Sequence, residues 1–147
     1  MALDETVYDP QLGNVPADQS KIIYLDEAHK LDLPPETFIV VVDRFTRGAK
    51  YVQIITADNL DILHKECVER NKRWDTGKGC FNQSDLPFLT SAEKRILVEA
   101  NKDIIVEDEF GNLATVDGSP FYYELAEKCC ERANKFMANK KIGAKND

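Results

Sequence analysis

The alternation of apolar and polar residues predicts strands in the first part of the chain. Residues 37–45 (TFIVVVDRF) contain a continuous β-branched and aromatic run, which is typical of a strand covered on both faces. Residues 50–56 (KYVQIIT) follow a turn at residues 46–49 and predict its antiparallel partner. Residues 21–25 (KIIYL) predict a further short strand upstream.

Three later segments have apolar residues at the spacing of an amphipathic helix. Residues 58–74 form the clearest one, and its predicted inward positions are Leu60, Leu63, Cys67, Asn71 and Trp74. Residues 90–102 open with Thr90 and Glu93, the two side chains of a capping box. Residues 121–140 predict the longest helix.

The order of these elements predicts the fold class. Residues 103–116 (DIIVEDEFGNLATV) predict a second hairpin, which turns at residues 109–112. Hairpins mixed with helices favour an α+β fold, with a mainly antiparallel sheet of about five strands packed with three helices. We therefore expect an extended N-terminal arm over residues 1–20, a single α+β domain over residues 21–140 and a frayed C-terminal tail over residues 141–147.

The predicted N-terminal arm has no periodic pattern. It contains two prolines, one glycine and scattered single apolar residues, so neither a helix nor a strand is favoured. Its apolar side chains are the candidates for contact with the chain's own domain or with a neighbouring chain, namely Val7, Tyr8 and Leu12.

The length and net charge of the chain favour some classes of protein over others. The chain has 147 residues and a net charge of −7, which fits one domain and disfavours a nucleic-acid binder, since such domains are usually basic. No apolar run reaches the roughly 18 residues that a membrane span needs. Residues 1–20 contain four acidic residues and no Lys or Arg, unlike a signal peptide. These features predict a cytoplasmic location, or assembly into a particle made there.

The cysteines are predicted to be free thiols. Cys67, Cys80, Cys129 and Cys130 include no CxxC pair, and buried free thiols are the ordinary state in a reducing compartment. We therefore expect no metal and no cofactor. A zinc site built from Cys67, Cys80 and one residue of the adjacent pair is an open alternative.

Residues 22–29 (IIYLDEAH) resemble the second nucleotide motif of DEAH-type helicases. The resemblance implies that Asp26 would hold magnesium and Glu27 would polarise the attacking water. The 21 residues that precede the motif contain no phosphate-binding GxxxxGK[ST] loop, so an ATPase is not expected. A small enzyme with a dispersed site made of Asp26, Glu27, His29 and Cys80 is an alternative hypothesis, as is an anion-binding loop at residues 77–80.

The favoured hypothesis is a non-catalytic protein-interaction or assembly subunit of a larger complex, such as a viral or phage particle. Its support is the irregular segment 75–89 and its aromatic residues, because aromatic side chains on irregular segments are typical of interfaces. The predicted contact residues are Phe81 and Phe88 in this segment and Trp74 directly before it, in addition to those of the arm. The partner is expected to be another protein or a second copy of the chain, with no direct binding to nucleic acid or membrane. An acidic inhibitor or nucleic-acid mimic acting on a basic partner is a further alternative.

Overall fold

The computed structural model describes residues 5–27, 31–44, 50–77 and 89–146, and only the backbone of residues 141–146. The described strands pair in three antiparallel two-stranded sheets, which confirms the mixed α+β class. The elements in chain order are β1 (Thr6–Asp9), β2 (Gly13–Pro16), β3 (Phe38–Arg44), β4 (Lys50–Thr56), α1 (Leu60–Asp75), α2 (Ser91–Ala100), β5 (Ile105–Glu107), β6 (Leu113–Thr115) and α3 (Tyr123–Asn146).

The prediction of one five-stranded sheet is not confirmed. The predicted strand at residues 21–25 makes a single parallel bridge between Tyr24 and Val42. A 3-10 turn at Gln19–Lys21 precedes it, and the amide of Glu27 bonds the carbonyl of Tyr24 in a turn directly after it. The chain thus bends away on both sides before a full ladder can form.

The β3–β4 hairpin lies at the centre of the molecule and has two covered faces. Ile39, Val41 and Ile55 pack in one cluster with the inward residues of α1. Phe38 and Val42 point to the other face, where they pack with β2, α2 and α3. Burial on both faces is the physical reason for the unbroken apolar run in β3.

The N-terminal segment folds back on itself instead of forming an extended arm. Asp9 starts the turn, since its carboxylate accepts hydrogen bonds from the amides of Gln11 (2.8 Å) and Leu12 (3.3 Å). Gly13 then adopts a φ of 81°, which favours glycine. Leu12 and Val15 are 1% and 2% exposed, so this hairpin belongs to the core of the domain.

The helices follow the predicted pattern more closely. The capping box of Thr90 and Glu93 is present, with both reciprocal hydrogen bonds. Helix α1 begins at Leu60, after a 3-10 turn at Ala57–Asn59. Helix α3 begins at Tyr123 and continues to Asn146, through most of the segment for which the sequence predicts a frayed tail.

Candidate functional site

The predicted contact residues differ widely in exposure. Tyr8 is 66% exposed and Val7 46%, whereas Leu12 is 1% exposed and contacts the chain's own core. Trp74 is 40% exposed at the end of α1. Phe81 and Phe88 lie outside the described residues. Val7, Tyr8 and Trp74 are therefore the predicted contact residues that are exposed in the described part of the chain.

The N-terminal hairpin that presents Tyr8 is fixed at several points. The Lys50 ammonium lies 2.9 Å from the Asp9 carboxylate, and this hydrogen bond lowers the pKa of Asp9. The amide of Tyr123 donates to the carbonyl of Leu12 (2.9 Å). On the outer face, the Asn14 amide lies 3.4 Å from both carboxylate oxygens of Glu124. Tyr8 thus projects from a strand whose position is set by β4 and α3.

Trp74 lies in a different layer of the molecule. The Asn71 side chain donates to the carbonyl of Arg44 (3.1 Å), which holds the last turns of α1 against the end of β3. Tyr51 faces Asp43 across the strand pair, so both side chains point to the α1 face. Tyr51 is 43% exposed. Trp74 on α1 and Tyr51 on β4 are thus two exposed aromatic side chains on the α1 side of the central hairpin, whereas the N-terminal hairpin that carries Tyr8 packs on the opposite side.

A buried ion pair that the sequence analysis missed supports this end of α1. Arg70 and Asp43 have fully buried side chains, joined by hydrogen bonds of 2.9 and 2.6 Å. Arg70 follows Leu63 and Cys67 at helical spacing on the inward side of α1, and Asp43 shares a strand face with Ile39 and Val41. The sequence signal for this pair was Arg70 at an inward position of the helix and Asp43, of opposite charge, on the apolar face of β3.

The same cluster makes Cys67 a poor nucleophile. Its thiol lies 3.5 Å from the Asp43 carboxylate. Burial, followed by the negative charge of Asp43, raises the pKa of Cys67 to about 12. Since the thiolate is the reactive form, this cysteine has a structural role here.

The acidic residues of the DEAH sequence are paired with an arginine. The Arg44 guanidinium contacts Asp26 through two hydrogen bonds of 3.0 Å and Glu27 through one of 2.7 Å. It also lies 4.0 Å from the centroid of the Tyr24 ring. These contacts occupy carboxylate oxygens that the helicase resemblance would assign to magnesium and water.

The structure brings together only part of the hypothetical dispersed site. His29 and Cys80 lie outside the described residues. His64 lies near Asp26 in the chain trace, because its Nδ1 donates to the carbonyl of Leu25 over 2.6 Å. Asp26 and Glu27 remain together on Arg44.

The described cysteines do not converge on one point. Cys67 lies in the cluster on the α1 face, whereas Cys129 and Cys130 lie in α3 on the other face of the central hairpin. Burial raises the pKa of Cys129 to about 11 and that of Cys130 still further. Among the described residues, no group of three or more His, Cys, Asp or Glu side chains is arranged to hold a metal ion.

The β5–β6 hairpin carries the most exposed large apolar side chain of the described residues. Phe110, at the tip, is 79% exposed. Val106 and Val116, on the strands or directly beside them, are 38% and 52% exposed. The sequence pattern predicts this hairpin but indicates no contact residue in it, because the pattern alone does not show which face of a two-stranded hairpin is covered.

Comparison with protein-family models, with curated proteins and with solved structures found no match. Within the described part of the chain, none of the helices combines the length and the apolar character that crossing a membrane requires.

Proposed function

We propose that the protein is a non-catalytic interaction subunit that binds a protein partner, or a second copy of itself, within a larger complex. The observation that carries the proposal is the exposure of Tyr8, at 66%, on a hairpin fixed by contacts to β4 and α3. Aromatic side chains of this kind dominate the binding energy of protein interfaces.

Order in the free chain supports the same role. A partner that binds Tyr8 and Val7 meets a strand already paired with β2, so little conformational entropy is lost on binding. Trp74 extends the proposal to the end of α1, where the buried pair of Asp43 and Arg70 holds the helix against the strands. A stable interface needs roughly 800 Å² on each partner, so Tyr8 would be the centre of a larger contact.

The test is size-exclusion chromatography with light scattering on the tagged chain isolated from its source cells under mild conditions. The proposal predicts a mass above that of the 16.7 kDa chain. Tyr8→Ser should weaken the complex by about tenfold or more, as expected for an aromatic residue at an interface centre.

Ile62→Ser is the matched control, because Ile62 is 54% exposed on α1, away from the N-terminal hairpin. It should leave the complex unchanged. A monomer for the wild-type chain, or equal loss of the complex with both variants, would contradict the proposal.

A further inference from the structure

The β5–β6 hairpin has one covered face and one apolar outer face. Ile105 and Thr115 are paired and buried. Val106 is paired with Ala114 on the opposite face. The amide of Val116 donates to the carbonyl of Ile104, which continues the register and places Val116 on the same outer face as Val106.

The tip that presents Phe110 is held in one conformation. The Asp108 carboxylate accepts hydrogen bonds from the amides of Phe110 and Asn112, each 2.9 Å. Gly111 has a φ of 81°, and its carbonyl accepts a 2.7 Å hydrogen bond from Lys94 of α2. Phe110 is thus presented by an ordered turn that is tied to a helix, which lowers the entropic cost of binding.

The hairpin sequence is acidic, although the Lys94 ammonium lies at its tip, 2.7 Å from the carbonyl of Gly111. Residues 103–117 contain five acidic residues and no Lys, Arg or His, which gives a formal charge of −5. Asp103 is paired with Arg132, and Asp108 is used in the turn. Among the described residues, Glu107 and Glu109 are in no ion pair, and both are exposed.

We propose that the outer face of the β5–β6 hairpin is a docking surface for a cationic protein with an apolar pocket that receives Phe110. The pocket is inferred from a phenyl ring that is 79% exposed at a fixed tip. The cationic character is inferred from the excess of acidic residues on the hairpin, among which Glu107 and Glu109 are exposed, since complementary charge steers association and disfavours like-charged partners. A second copy of the chain, which has a net charge of −7, and a nucleic acid are both disfavoured on this ground.

This inference rests on the proposed function, because it names the class of partner, but it uses a different surface. The test places the photo-cross-linker p-benzoylphenylalanine at position 110, at position 8 or at position 62 of the full chain in its source cells. Position 62 gives the background. Products are identified by mass spectrometry, and the partner is then purified for binding measurements.

The expected result is a product from position 110, above the background, with a protein of net positive charge. Its affinity should fall about tenfold or more with Phe110→Ser, and it should fall with Glu107→Gln/Glu109→Gln and with added salt. These variants leave Asp108 in place, so circular dichroism should show an unchanged fold.

The outcomes separate the two proposals. A product from position 8 but not from position 110 overturns the hairpin inference and leaves the proposed function intact. A product from position 110 alone supports the hairpin inference and removes the N-terminal hairpin from the proposal. No product at either position overturns both, and a product at position 110 with a second copy, a nucleic acid or an acidic protein overturns the hairpin inference.

Discussion

Truncation of Arg70 should leave a buried carboxylate without its partner. Both side chains of the Asp43–Arg70 pair are fully buried, and Arg70 supplies two hydrogen bonds to Asp43 at 2.9 and 2.6 Å. The Cys67 thiol lies 3.5 Å from this carboxylate, and a neutral thiol cannot neutralise its charge. Arg70→Ala therefore exposes Asp43 to the full cost of an unpaired charge in the core.

The magnitude follows from the burial of both groups. Removing one partner of a buried pair costs about 3–5 kcal/mol, whereas replacing both by apolar residues of similar volume is often neutral or stabilising. Arg70→Ala should thus consume a large part of a typical stability of about 5–15 kcal/mol. The double variant Asp43→Leu/Arg70→Met should recover most of the loss.

The assay is urea unfolding followed by circular dichroism, with the free energy of unfolding compared at constant m value. Arg132→Ala is the control, because it removes an exposed ion pair with Asp103 and should move the midpoint little. A loss below about 1 kcal/mol for Arg70→Ala would refute the reasoning, since that is the size expected for an exposed pair. If Arg70→Ala does not fold, failure of the double variant to restore folding would equally refute it.

Three further predictions follow from particular contacts. A positive φ costs a non-glycine residue about 1–2 kcal/mol, and Gly13→Ala should destabilise the protein by more than this, because an added Cβ would lie 2.8 Å from Cβ and Cγ of Tyr122. Gly118→Ala is the control, since Gly118 has a φ of 79° and open space around it, so only the backbone cost should appear. Equal shifts of the melting temperature for the two variants would contradict this prediction. Iodoacetamide at pH 8 should label Cys67, Cys129 and Cys130 only after unfolding in urea, because burial raises the pKa of each thiol; peptide mapping that finds label on them in the native protein would show that they are accessible. The hydrogen bond from Lys50 lowers the pKa of Asp9 in the folded state, so the stability that this contact contributes is present above the ordinary Asp pKa and is lost as pH falls through the lowered value. The difference in unfolding free energy between wild type and Lys50→Met should therefore become smaller in acid. A difference that becomes larger in acid would contradict the prediction.

Local patterns were sufficient for the elements whose hydrogen bonds are local. The β3–β4 hairpin and the capping box at Thr90 and Glu93 are both present, because strand pairing across a short turn and a helix start depend on neighbouring residues. The tight turn from Asp9 to Gly13 had a local signal as well, an Asp-Pro start and a Gly end. This signal was not sufficient to predict a hairpin, because the flanking strands are only four residues each.

The remaining differences depend on contacts between distant segments. The apolar run at residues 21–25 indicated a strand, but the turns on either side allow only one bridge to Val42. Arg70 lies next to other charged residues near the end of α1, and only the position of Asp43 on β3 explains its burial.

The exposure of the candidate contact residues also depends on contacts that the local sequence does not show. Val7, Tyr8 and Leu12 look alike as isolated apolar residues in the sequence, yet Leu12 is buried and Tyr8 is exposed. Phe110 lies in a predicted turn, where the sequence does not indicate whether an aromatic residue packs on its own strands or projects outward. Its exposure follows from the turn geometry set by Asp108 and Lys94.

Hydroxyl-radical footprinting of the chain, free and in the complex isolated from its source cells, tests most directly whether the protein works by surface contact. The account predicts that oxidation of Tyr8 falls several-fold in the complex, while Ile62, which is 54% exposed in the free chain, is oxidised to the same extent in both states. Equal oxidation of Tyr8 in the two samples, or protection confined to Ile62 and its helix face, would contradict it.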